Sequence, residues 1–275
     1  MSKARRQAAR HGSFLLGAAI TAGIVLVAVL SLVYTPRDPL QMDLDARLLA
    51  PSDAHPMGTD QFGRDLLSRV MRGAAASLVV GAVAVAIGMG AGVLLGMLGG
   101  YFGGALDEAL MRVMDAVYGF PAVLSALLVT AAFGPGIVIS MVAVGVASVP
   151  IFARLTRGNF LTLREREFVL AARALGARDW VIIRRHILPN TLGPLIVQAT
   201  ISFPVAILAE AALSYLGLGT QPPNPSWGLM LRDAQSFLGR SPWYALFPGC
   251  AIAVAVLGFN LLGDGLRDLL DPRAS

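Results

Sequence analysis

Lysine is nearly absent from this sequence: of 22 basic residues in a chain of 275, Lys3 is the sole lysine and the others are arginines. A Walker-type phosphate loop needs a lysine closing a glycine-rich turn, and Lys3 lies in an N-terminal tail, so an ATP site of that kind is excluded. Cysteine is as scarce. Cys250 stands alone in an apolar run, which leaves no disulfide framework and no thiolate cluster. The three histidines, His11, His55 and His186, are too far apart to suggest a ligand set, so no metal and no cofactor is expected. Scattered serines, histidines and aspartates define no nucleophile, base and acid either; no catalytic residue is assigned, and an enzyme is not expected. Charge of both signs is also sparse, at 14% against 56% hydrophobic residues with a mean hydropathy of +0.68. That balance exceeds the need of one soluble core and indicates an all-α membrane protein.

The apolar residues fall in long runs. Phe14 to Tyr34 carries no charge and, at about 1.5 Å of rise per residue, suffices to cross a hydrocarbon layer of about 30 Å. It follows Lys3, Arg5, Arg6 and Arg10 and reads as a retained anchor rather than a cleaved signal peptide. Further runs at Leu78 to Leu98, Ala116 to Phe133, Ile137 to Phe152, Leu192 to Leu216 and Tyr244 to Leu262 give about six transmembrane helices. The expected organisation is an anchor helix with its extracytoplasmic loop over residues 1–72, followed by a five-span core over 73–275.

A net charge of +5 is compatible with nucleic acid, anionic lipid or topology, and placement decides among them. The connection from Thr35 to Gly73 balances five arginines against six aspartates. The connection after the fourth run holds Arg154, Arg157, Arg164, Arg166, Arg173, Arg178, Arg184 and Arg185 against Glu165, Glu167 and Asp179. The positive-inside rule places this second connection in the cytoplasm, and an even number of spans puts both termini there. No nucleic acid is implied.

Within the runs, Gly88, Gly92, Gly96 and Gly100 recur every four residues, so a second helix is expected to pack closely on that face, as a static seam or a sliding contact. Gly99 to Gly104, GGYFGG, reads as a flexible turn. Asp107, Arg112 and Asp115 open the third run, where Arg112 and Asp115 are spaced for an intrahelical pair. Glu210 lies inside the fifth run, where a charge is costly by default, and is the one candidate for solute contact; a place near the outer interface or a bond to a neighbouring helix fits equally. Pro222, Pro223, Pro225 and Trp227 in the segment from Gln221 to Trp243 suggest a stiff aromatic surface, either for an outer partner or gate or for headgroup anchoring.

The arginine-rich connection has helical periodicity. Phe168, Ala171, Ala172 and Leu175 share a face, Gly176 suits a helix end, and Asp179 starts a second helix with Trp180, Ile183 and Ile187 on one side, which Pro189 is expected to stop. Two short helices at an angle then present an apolar ridge. Periodicity alone leaves a partner's groove and anionic membrane lipid as equal destinations.

Phe168 to Asn190, FVLAARALGARDWVIIRRHILPN, resembles the EAA loop of permease subunits in bacterial ABC importers. HPMGTDQFGRDLLSR from His55, EAALSYLGLG from Glu210, PPNPSWG from Pro222 and NLLGDGLRDLLDP from Asn260 are similar to the C-type permease of the dipeptide, oligopeptide and nickel branch. Two departures stand out. Leu170 occupies the position of the motif's first glutamate, with Glu167 one turn earlier, and Ala75 replaces an arginine after Gly73 and Ala74. The resemblance implies a multi-pass permease of the bacterial cytoplasmic (inner) membrane that pairs with a B-type permease subunit. It also implies two ATP-binding cassette ATPase subunits and an extracytoplasmic solute-binding protein as partners. It makes Glu167, Phe168, Ala171, Ala172, Gly176 and Asp179 the ATPase-docking residues, and peptides the expected solute, with glutathione and nickel chelates as alternatives from the same machinery. A self-sufficient secondary transporter, or a membrane scaffold, is the reading from another class.

Overall fold

A computed structural model describes the backbone of residues 3–270 and the side chains of residues 12–269. The basic residues Lys3, Arg5, Arg6 and Arg10, together with His11 and the end of the last motif, lie outside those side chains. The described chain is helical: α1 (Lys3–Leu30), α2 (Leu66–Phe102), α3 (Gly104–Tyr118), α4 (Ala122–Phe133), α5 (Ile137–Leu163), α6 (Glu167–Ala174), α7 (Asp179–Val181), α8 (Leu188–Tyr215), α9 (Trp227–Ala234) and α10 (Trp243–Leu270). Among the described residues, five helical stretches are long and apolar enough to cross a membrane: Gly12–Leu30, Leu66–Phe102, Ile137–Leu163, Asp179–Tyr215 and Trp243–Leu269.

The third run, expected as one span from Ala116 to Phe133, is a bent helix pair, which brings the count to six when taken as one broken span. Helices α3 and α4 meet at 86°. Gly119 ends α3, and Pro121 both restricts Phe120 before it and removes a donor, so the helix stops although the composition stays apolar. With 12 residues α4 is about 18 Å long, short of a full crossing. The expected Arg112–Asp115 pair is replaced too: Arg112 meets Glu108 at 3.2 Å, and Asp115 accepts from Arg154 Nη2 at 2.8 Å. Together with Arg157 Nη2 bonded to Asp107 Oδ2 at 2.6 Å, this ties α3 across to α5.

The glycine face of α2 packs on α5, as its spacing predicts. A Cβ on Gly88 would lie 2.8 Å from that of Ser148, on Gly92 2.6 Å from that of Phe152, and on Gly100 2.7 Å from that of Phe160, while one on Gly96 would strike the Ala153 carbonyl. Backbones approach this closely only where side chains are missing, and in a bilayer that close packing is the main attraction between helices. Gly99 and Gly100 belong to α2 itself, so GGYFGG is not a loop; the chain turns at Gly103 and Gly104. Helix α1 packs on α10 in the same manner, with Gly17 against Leu261 and Leu262, and Gly258 against Ile20.

Opposite the arginine-rich loop, residues 31–65 fold over the start of α2 as a cap. Asp60 is fully buried and accepts from Arg64 Nε at 2.6 Å and from the backbone of Phe62 and Arg64. Arg69 Nε lies 3.3 Å from the same carboxylate without hydrogen-bond alignment, and its Nη1 donates to Pro39 O at 3.1 Å. Buried charges persist only when paired in this way. Asp65 caps α2 through Ser68 N at 2.9 Å and also meets His55 Nδ1 at 3.0 Å. Gly63 has φ of 75°, and a Cβ there would run into the Asp43 carbonyl, so the turn in the QFGRD stretch admits glycine alone.

Trp227 is buried against the start of α2 and donates from Nε1 to Val70 O at 3.0 Å. It therefore offers no aromatic surface, contrary to the expectation from its proline-rich neighbourhood; the prolines hold a turn whose tryptophan points inward. Asp233 on α9 faces the same cap. Burial pushes its carboxyl above the usual range, against an opposing bond from Gln61 and the nearby Arg69 and Arg64.

Candidate functional site

Helix α5 has 27 residues, and α7 to α8 form one helical stretch of 37, so at about 1.5 Å per residue both overrun a hydrocarbon layer of about 30 Å. That surplus is long enough to carry the loop between them beyond such a layer. Its first element, α6, places acidic Glu167 in the first turn and Arg173 in the last, each favourable to the helix dipole. It ends in a Schellman closure: Gly176 N donates to Arg173 O at 3.0 Å and Ala177 N to Ala172 O at 3.1 Å. This closure requires a left-handed residue, and Gly176 supplies it with φ of 80°. Nothing lies within 4 Å of a Cβ built there, so the glycine is demanded by backbone conformation and not by space.

Pro189 does not stop the second helix. Ile182–Ile187 form a π-helical turn in which Leu188 N donates to Ile183 O, and the wider turn lets the helix run through Pro189 and into the membrane span. Asn190 Nδ2 donates to the His186 carbonyl at 2.6 Å, giving that group a side-chain partner just beyond the proline. The loop is thus one short helix followed by the protruding end of a span, not two short helices.

The widened turn also changes which residues face outward. Val169, Ala172, Ile182, Ile183 and Ile187 are buried against Met97, Tyr101 and Phe160. Phe168, Ala171 and Leu175 share an exposed face as expected, with Leu175 88% exposed, but Ala172 turns inward at 9%. Trp180 is 60% exposed while Ile183 and Ile187, expected beside it, are covered. Leu170 and Val181 join the exposed set. Sequence reasoning missed Leu170 and Val181 as ridge residues and Tyr101 as their support. Tyr101 Oη donates to Asp179 Oδ1 at 2.6 Å, and the Arg173 guanidinium lies 5.9 Å from its ring. Arg164 Nη1 donates to Gly100 O at 3.1 Å, fixing the loop to the last turn of α2. The apolar ridge therefore stands on a buried base that joins it to the glycine seam.

Glu210 is remote from this loop. It is fully buried near the other end of α8 and accepts from Ser214 Oγ at 2.6 Å, Ser77 Oγ at 3.1 Å and Thr220 Oγ1 at 3.3 Å. Ser214 Oγ in turn accepts from Thr220 N. The carboxylate so pins the turn after α8 to α2, and contact with a solute would first require those hydroxyls to leave. Replacing Glu210 with alanine strands three buried hydroxyls and is expected to cost about 3 kcal/mol or more, while Glu210→Gln keeps an acceptor and costs less. Thermal unfolding midpoints of the two variants in detergent test this; equal midpoints for Glu210→Ala and the parent would contradict it.

Comparison with known proteins agrees with this architecture. The profile of the family described as "Binding-protein-dependent transport system inner membrane component" matches residues 92–275. The dipeptide transport system permease protein DppC of Alkalihalophilus pseudofirmus is 43% identical over 98% of this chain and 89% of its own length. The glutathione transport system permease protein GsiD of Salmonella typhimurium is 47% identical over 98% and 89%. The probable D,D-dipeptide transport system permease protein DdpC of Escherichia coli is 43% identical over 92% and 87%. Among solved structures, the inward-facing MetNI methionine ABC transporter superposes with a TM-score of 0.62 over 75% of this chain and 98% of that one, at 18% identity, a likeness of fold. With its membrane-crossing helices, its projecting loop and these relatives along nearly its whole length, the chain belongs to the family of binding-protein-dependent transport system inner membrane components, as a multi-pass permease subunit of an ABC importer in the inner membrane.

Proposed function

We propose that this chain is the C-type half of a peptide-importing permease and that its ridge over residues 168–181 docks in a groove of an ATP-hydrolysing subunit. The observation that carries the reading is the exposure of Phe168, Leu175 and Trp180 on a loop braced by buried isoleucines and clear of the membrane spans. Large apolar side chains held rigidly in water mark a contact surface, and a helix face of this kind fits a groove. On this reading the loop is cytoplasmic, with both chain termini on the same side. Glu167, Phe168, Ala171 and Asp179 edge the contact, while Ala172 and Gly176 shape it from behind. Leu170, exposed where the motif has glutamate, meets the partner as an apolar contact.

The remaining assignments follow from the family. A B-type permease subunit completes the pathway, two ATPase subunits drive it, and a solute-binding protein delivers from the opposite side, against the cap and the anchor unit of residues 1–72. Chemistry stays with the ATPase subunits, and this chain is non-catalytic. Dipeptides or oligopeptides are the proposed solute, in keeping with the dipeptide permeases among the relatives; the glutathione permeases keep glutathione as the second reading.

Gly176→Val tests the docking loop. Forcing a β-branched residue into the left-handed region costs about 1–2 kcal/mol or more and opens the Schellman turn without disturbing the spans. The expected outcome in reconstituted vesicles is normal membrane insertion, continued ATP hydrolysis and uptake reduced about tenfold or more. Unchanged uptake would remove the loop from the coupling path.

A further inference from the structure

We propose that this chain binds a phospholipid with a zwitterionic, amine-bearing headgroup in the leaflet opposite the arginine-rich loop, in a groove between α1 and α2 headed by Arg72 and Asp38. Three adjoining cavities form the groove. One, about 390 Å³, is walled by apolar residues alone, among them Val25, Val29, Val79 and Ala82, with Phe203 stacked on Phe259 at 4.2 Å. A second, of about 410 Å³, shares Leu32, Ala75 and Val79 with it and extends to Arg72 and Asn224. The third, of about 370 Å³, shares Leu32, Arg72 and Asn224 with the second and adds Tyr34 and Asp38.

The groove therefore changes character along its length. From Arg72 to Ala82 it follows ten residues of α2, about 15 Å at 1.5 Å per residue, which is the depth of one leaflet of a hydrocarbon core of about 30 Å. Arg72 uses one of its five donors, from Nη1 to Ser31 O at 3.1 Å, and among the described residues no carboxylate lies within ion-pair distance. Asp38 is exposed; its Oδ1 accepts from Leu40 N at 2.9 Å, and its second oxygen has no partner among the described residues. One guanidinium and one carboxylate at a single mouth match a phosphate and an ammonium, whereas the lone negative charge of a phosphatidylglycerol would meet Asp38 as a repulsion.

Other occupants fit worse. A peptide solute would leave its backbone N–H and C=O groups unpaired against the apolar walls. An acyl chain has no such groups.

The test uses the assembled transporter in vesicles of defined composition, with a trace of phosphatidylethanolamine carrying a diazirine in one acyl chain. On irradiation the label is expected to concentrate on residues 25–32 and 75–82. Unlabelled phosphatidylethanolamine should compete about tenfold better than phosphatidylglycerol or phosphatidylcholine, the effect of one charge-assisted contact. Arg72→Gln should weaken capture of all three lipids about tenfold and Arg72→Lys less, Asp38→Asn should erase the preference over phosphatidylglycerol, and Ala75→Phe should block the chain with the headgroup residues intact. Uniform labelling of all lipid-facing helices would overturn the proposal, as would equal competition by the three headgroups. Protection of residues 75–82 by a helix of a partner subunit in the assembled complex would overturn it too.

Discussion

Replacing Phe168 and Leu175 together with glutamate will release the ATP-hydrolysing partner while leaving this chain folded. Both side chains are exposed, Leu175 almost fully, so neither substitution opens the core beneath, where Val169 and Ile182 carry the packing. In a docked ridge the two positions are apolar anchors, and such anchors carry about 2 kcal/mol or more each when removed. A carboxylate pressed into an apolar groove adds a desolvation penalty of several kcal/mol unless it finds a partner. A combined loss above about 4 kcal/mol weakens association by about a thousandfold. Stoichiometry of the detergent-purified complex and the unfolding midpoint of this chain are the measurements. A partner still bound at full stoichiometry would place the docking surface elsewhere; a collapsed midpoint would mean that the ridge holds the fold and not the partner.

Gly96→Leu should abolish the folded protein, whereas Gly90→Leu, six residues and less than two turns away, should be tolerated. At Gly96 the first added carbon meets the Ala153 carbonyl and lies 2.8 Å from Thr156 Cβ, on a partner helix whose backbone has no freedom to give. Overpacking a tight core costs about 1–3 kcal/mol even where side chains can move, and here α2 and α5 must part along a seam running from Gly88 to Gly100. Gly90 points the other way, with nothing within 4 Å. Leucine there adds an apolar side chain on an exposed face and leaves the seam untouched. Protease resistance of the membrane-inserted chain separates the two variants, and equal resistance would show that the seam is not what joins α2 to α5.

The same seam shows which features were legible in the sequence. Close packing of bare helix faces is a local steric matter, so a glycine every fourth residue suffices to announce it. Gly176 was legible for a similar reason, because a left-handed helix end depends on the residue itself. Phase was not. The expected faces of Trp180, Ile183 and Ile187 assumed 3.6 residues per turn, and the π-helical turn at Ile182–Ile187 inserts extra rotation that buries the isoleucines and leaves the tryptophan outside. Pro189 misled by the same mechanism, since the clash that ends an ordinary α-helix is relieved in a wider turn.

Hydropathy also hid the break at Gly119 and Pro121, because the residues on both sides remain apolar while the chain turns through 86°. Glu210 was conspicuous but its partners were not. Ser77 lies 133 positions away, and no periodicity joins it to a carboxylate on α8. The cap repeats the lesson: Asp60, Arg64 and Arg69 fall within a recognisable motif, yet their burial depends on the preceding loop folding back over α2.

On the proposed reading, this chain conducts solute only as part of an assembly powered by its partners. Accumulation of a labelled dipeptide in sealed vesicles, with this chain reconstituted alone or with its permease partner, ATPase subunits and binding protein, measures it directly. Accumulation is expected only in the full assembly with ATP on the side of the arginine-rich loop, and none by the isolated chain under any ion gradient. Gradient-driven accumulation by this chain alone would contradict it.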